Sequence, residues 1–182
     1  MTETAIIIGN ILSLCATASD SISGTRKKHS QMMYIQIVSQ FFYGASSIVL
    51  KGYSSTAQNI VAVFRNFAAA KNVKSKVLEW VLIAAGVVLG VVLNNRGLLG
   101  WLPIVANLEY SIAVFRFKDN QTALKLAFII NMVMYAAFSL VIMNYVGAAS
   151  CSIIMITTAI SLIKEKKGSS LNREEKGMEA DK

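Results

Sequence analysis

Charge is scarce in this chain of 182 residues: 15% are Asp, Glu, Lys or Arg, where a soluble domain carries about 25%. Proline occurs once, at Pro103, and histidine once, at His29. A single histidine cannot supply the paired axial ligands of a membrane b-type haem. The two cysteines, Cys15 and Cys151, lie inside apolar blocks and have no metal-ligand spacing around them. No Gly-rich loop ending in Lys-Ser/Thr marks an ATP site. No cofactor and no metal are expected. The net charge of +8 would suggest nucleic acid in a soluble protein, but no groove-reading motif is present and no aromatic residues interleave with the basic ones, so no nucleic-acid partner is expected.

What is abundant is apolar sequence, at 54% of residues with a mean hydropathy of +0.52. It comes in blocks: roughly Ala5 to Ile22, Gln31 to Leu50, Tyr53 to Ala70, Val77 to Leu93, Leu98 to Phe115, Thr122 to Met143 and Tyr145 to Ile163. A helix needs about 20 mostly apolar residues to cross a bilayer, so the blocks predict an all-α membrane protein of seven transmembrane helices over residues 1–163. The start of the chain, Met1-Thr2-Glu3-Thr4, lacks the positive region of a secretory signal, and the first block reads as a retained helix. The loops after blocks one, three and five, together with the segment 164–182, hold fourteen Lys and Arg; the other side holds only Lys51 and Arg96. That bias predicts an N-terminus outside and a C-terminus in the cytoplasm. Residues 164–182 are almost free of apolar side chains, rich in both charges, and expected to be a disordered tail.

A shift of 92 residues without gaps lays block one on five, two on six and three on seven. Residues 5–70 against 97–162 share eight identities, six of them within fifteen residues: Tyr43/Tyr135, Ala45/Ala137, Ser47/Ser139, Val49/Val141, Tyr53/Tyr145 and Ala57/Ala149. The expectation is a parallel 3+1+3 plan: repeat one over 5–70, a linker helix over 77–93 and repeat two over 97–163. Gly86 and Gly90 on the linker form a small-xxx-small pair, read as ordinary membrane packing.

An ionisable group at the centre of a membrane helix costs about 2.5–3.5 kcal/mol on insertion scales, so each polar residue inside needs a partner or water. Helical spacing places Asn10, Ser13, Thr17 and Asp20 on one face, and Gln36, Gln40, Tyr43 and Ser47 on another. The amides Asn10, Gln40, Asn59 and Asn131 fall near mid-membrane and, with Tyr43, are the expected binding residues for a small polar solute in a hydrated cavity between the two repeats. Arg65 and Glu109 fall at similar depth; an ion pair acting as gate or coupling switch is expected there, against the alternative that Arg65 snorkels and Glu109 is satisfied locally. Pro103, in the first turn of its helix, needs no partner for its missing amide.

The runs GYSSTAQNIVAVFRNFAAAK and GLLGWLPIVANLEYSIAVFRFKDNQ resemble the YgjV family of bacterial inner-membrane proteins: a small-residue third helix ending in Arg65, and a Leu102-Pro103 start to a fifth helix that closes with Phe115-Arg116. The resemblance implies the inner membrane as location. The 3+1+3 plan is similar to that of SWEET, PQ-loop and PnuC transporters, which implies alternating access around a midplane site. An asparagine on helix three of the SWEET site is matched by Asn59, while the repeat partner of Asn59 is Cys151. The function expected is a transporter of a small polar solute, working as a monomer or homo-oligomer. The alternative is a non-transporting receptor or accessory protein with its tail as docking arm. No enzyme is expected, because Glu109, Asp20 and His29 form no nucleophile–base or metal arrangement.

Overall fold

A computed structural model describes residues 2–24, 29–71, 73, 75–117 and 120–180. Seven helices fill it, and the described residues hold no strand: α1 (Glu3–Gly24), α2 (His29–Val49), α3 (Tyr53–Ala70), α4 (Lys76–Val92), α5 (Leu102–Arg116), α6 (Gln121–Val141) and α7 (Tyr145–Ala180), with a 3-10 turn, Gly97–Trp101, leading into α5. Pro103 stands in the first turn of α5, where no helical partner for its amide is lost. Side chains cap several starts. Ser75 Oγ accepts from Leu78 N, Asn120 Oδ1 from Ala123 N and Asn144 Oδ1 from Gly147 N. α7 runs past the apolar block as far as Ala180, where a disordered tail was expected. The segment is rich in Lys, Glu and Arg, which propagate a helix that has already nucleated.

On length and composition one described segment is sufficient to cross a membrane: Glu3–Ile22, with mean hydropathy 1.5. α6 and α7 contribute shorter apolar stretches, Lys125–Val141 and Tyr145–Ile160. α4 stops at 17 residues, and α2 and α3 dilute their apolar content with inward-facing polar side chains. The burial pattern is inverted relative to a water-soluble bundle. Ser13, Ser39, Ser46, Ser54 and Gln58 are buried, while Phe41, Phe64, Trp80, Val92 and Ile163 are exposed. Large apolar side chains turned outward over such a surface need an apolar solvent.

Side-chain bonds set the helix directions. Ser13 meets Ser46 at 2.9 Å, Ser46 donates to the Gly9 carbonyl at 2.7 Å, and Ser39 donates to Asp20, so α1 and α2 are antiparallel. α1 and α7 run parallel, joined by Asn10 to Met143 and Val146 and by Thr17 to Ser150. α3 and α5 also run parallel, through Gln58 to Asn107 and Arg65 to Ser111. One end of the bundle therefore carries the α2–α3 and α6–α7 turns (the turn end); the other carries the ends of α1, α3 and α5 (the loop end).

The two turns match at a separation of 92 residues. α2 spans 29–49 and α6 spans 121–141; α1 ends at Gly24 and α5 at Arg116; α3 begins at Tyr53 and α7 at Tyr145. Gly52 N donates to Ser47 O at 2.7 Å and Lys51 N to Ile48 O at 3.0 Å; Asn144 N donates to Ser139 O at 2.8 Å and Met143 N to Leu140 O at 3.1 Å. Both are Schellman closures, and their left-handed residues are Lys51, φ 53°, and Met143, φ 60°. A side chain in that conformation costs about 1 kcal/mol relative to glycine. Lys51→Gly and Met143→Gly are each expected to stabilise the protein by about 0.5–1 kcal/mol, read as a raised midpoint in a denaturant titration of the purified protein.

Candidate solute site

At the turn end the two halves are locked together. Leu50, Phe138 and Ile142 are buried in one cluster with Leu102 against it. Each turn is also clamped by an asparagine from outside its own half: Asn10 of the first half holds the α6–α7 turn, and Asn95 of the link after α4 holds the α2–α3 turn. Asn10 donates to Met143 O at 3.0 Å and accepts from Val146 N at 2.9 Å. Asn95 donates to Lys51 O at 2.8 Å and accepts from Tyr53 N at 3.4 Å. Arg96 adds bonds to the Leu50 and Lys51 carbonyls. One amide fills this double role because it presents a donor and an acceptor side by side.

Between the turn end and the loop end the contacts are polar. Thr17 Oγ1 lies 2.8 Å from Ser150 Oγ and 3.3 Å from the Tyr43 hydroxyl, tying α1, α2 and α7. On the other side a chain of donations crosses three helices. Arg65 Nη1 donates to Asn107 Oδ1 at 3.1 Å, Asn107 Nδ2 to Gln58 Oε1 at 2.6 Å, and Gln58 Nε2 to Gly86 O at 2.8 Å. Arg65 Nη1 also reaches Ser111 Oγ at 3.3 Å, and its guanidinium stands 5.8 Å from the centre of the Tyr110 ring. Gly86 and Gly90 are buried here because α4 must approach closely; a Cβ on Gly90 would lie 2.5 Å from Gln58 Nε2 and 2.7 Å from Ile104 Cγ1.

The expected binding residues are not gathered into one chamber. Asn10 is spent on the α6–α7 turn. Asn131 donates to Ala106 O at 2.7 Å, holding α6 to α5. Gln40 and Asn59 do meet, in a groove of about 390 Å³ between α2 and α3, walled by Phe41, Ile48, Ile60 and Phe64. That groove lies within one half. Asn59 Nδ2 is buried in it without a hydrogen-bond partner among the described residues. Tyr43 faces Thr17 instead.

The ion pair expected between Arg65 and Glu109 is absent. Asn107 and Ser111, four residues apart on α5, take the guanidinium, and Glu109 lies midway between them in sequence and so on the opposite face of the helix. Equal depth was a poor guide because it ignored rotation about the helix axis. Glu109 Oε2 is buried and has no hydrogen-bond partner among the described residues. Gln58, Asn107 and Ser111 are the residues that sequence reasoning underweighted. The four-residue spacing of Asn107 and Ser111 was the available signal.

The family model Imp-YgjV, described as a bacterial inner membrane protein, matches residues 7–167. No curated protein matches. No solved structure matches, and the wider resemblance to SWEET and PQ-loop proteins is not shown.

Proposed function

Because the chain belongs to the Imp-YgjV family of bacterial inner membrane proteins, we propose that it is a multi-pass transporter carrying a small polar solute by alternating access between two three-helix units. The units are residues 5–70 and 97–163. α4 links them so that both face the same way, a 3+1+3 parallel repeat of the SWEET kind. The observation that carries this reading is the pair of matching turns 92 residues apart, one clamped by Asn10 of the other unit and one by Asn95 of the link between α4 and the second unit. Two like units joined mainly by hydrogen bonds, with apolar packing gathered at one end, can rock without tearing a core apart.

The loop end, beside the basic segments, faces the cytoplasm, and the N-terminus lies outside. The clamped turn end is then closed in the described state. The protein performs no chemistry of its own. Glu109, with a buried oxygen that has no hydrogen-bond partner among the described residues, is the coupling group. Glu109→Gln is expected to fold normally and to abolish the response of uptake to an imposed pH gradient. A response left intact would remove Glu109 from that role.

The test is reconstitution into liposomes and uptake of a panel of sugars, vitamins, nucleosides and organic ions. Uptake of one class is expected, and most of it should survive deletion of residues 169–182. No uptake across the panel, or its loss on that deletion, contradicts the carrier and favours an accessory protein.

A further inference from the structure

Arg65 is held by neutral groups on one side only. Nη1 is committed to Asn107 and Ser111, and the Tyr110 ring flanks the guanidinium. The Nε–Nη2 edge, the side-on fork of the guanidinium, has no acceptor among the described residues. Neither Glu109 nor Asp20 serves it: Glu109 projects from the other face of α5, and Asp20 accepts from Ser39 between α1 and α2. Phe64 and Phe67, its neighbours on α3, are 60% and 51% exposed on the outer surface, whereas Arg65 turns inward to α5. The side chain nevertheless keeps some accessible surface. Ser111 Oγ accepts from Arg65 and so keeps its own hydrogen to donate.

A guanidinium inside a bundle without a counter-charge is costly, and here the scaffold fixes it in place rather than neutralising it. Its free edge matches the two oxygens of a carboxylate or phosphate in a bidentate pair. We propose that Arg65 is the anchor of an oxyanion site: a small soluble anion bearing a carboxylate or phosphate docks on Nε and Nη2, with the Ser111 hydroxyl as an additional donor. Resting on the carrier reading, this makes the transported solute an anion, drawn toward the loop end by its basic residues. A phospholipid headgroup presents the same chemistry and is the competing source.

The full chain, purified in maltoside detergent and stripped of lipid, is followed by thermal unfolding on tryptophan fluorescence. The probes are sodium acetate, succinate and phosphate against sodium chloride at equal ionic strength, and separately phosphatidylglycerol in mixed micelles. At tenfold over its Kd, at least one soluble oxyanion is expected to raise Tm by about 3–6 °C. Arg65→Gln should lose the shift, and Arg65→Lys, which keeps the charge without the fork, should lose most of it. No shift with any soluble oxyanion, a shift with phosphatidylglycerol alone, or a full shift in Arg65→Gln overturns the proposal, and the first two need no variant to fold. Binding without liposome uptake keeps the site and removes the carrier. Uptake of neutral solutes with no oxyanion shift removes the site and keeps the carrier.

Discussion

Gln58→Leu is expected to destabilise the protein by about 3 kcal/mol, although it replaces a polar residue by an apolar one of similar size inside an apolar bundle. Gln58 is 1% exposed and joins α3 to both α4 and α5. Its removal leaves Asn107 Nδ2 without its partner and takes from the Gly86 carbonyl the bond it makes beyond its own helix; an orphaned buried group costs about 1–3 kcal/mol and a lost hydrogen bond about 1 kcal/mol. The freed Asn107 also loses the bond that orients it toward Arg65, so oxyanion binding should weaken along with stability. An SDS titration of the purified variant measures the first effect. A variant as stable as the parent would mean that these three helices are held by apolar contact alone.

A larger loss is expected at Gly9. A Cβ there would lie 2.5–2.8 Å from three side-chain atoms of Leu50, which is fully buried at the closed turn end. Leu50 packs against Phe138 and Ile142 and has no free space to turn into. Gly9→Ala is expected to cost about 3 kcal/mol and Gly9→Val to prevent accumulation of folded protein. The collision is local, so Leu50→Ala should rescue Gly9→Ala in part, with a coupling of at least about 1 kcal/mol between the two changes. Strict additivity of the two losses would place the damage elsewhere.

Much of this architecture was written in the order of residues. Seven helices, and their limits apart from the end of α7, follow from apolar blocks of nearly constant length, and the face Asn10, Ser13, Thr17, Asp20 is the face along which α1 bonds to α2 and α7. The cluster of identities from Tyr43 to Ala57 brackets the α2–α3 turn, whose hydrogen bonds recur in the α6–α7 turn. Partner identity was hidden. An amide near mid-membrane reads the same whether it lines water or grips a backbone carbonyl, so Asn10 and Asn131 looked like site residues and are clamps. Depth and charge match Glu109 to Arg65, whereas Nη1 of the guanidinium is held by Asn107 and Ser111, which are polar but uncharged.

Distances between spin labels at positions 92 residues apart test the proposed rocking most directly. Labels at Lys51 and Met143 report the turn end; labels at Lys71 and Ile163 report the loop end. All four positions are exposed. In liposomes, two populations are expected, one with the turn-end pair close and the loop-end pair apart, the other with the relation reversed, and a transported solute should shift their balance. One invariant distance at each end, with and without every solute tried, would contradict the account.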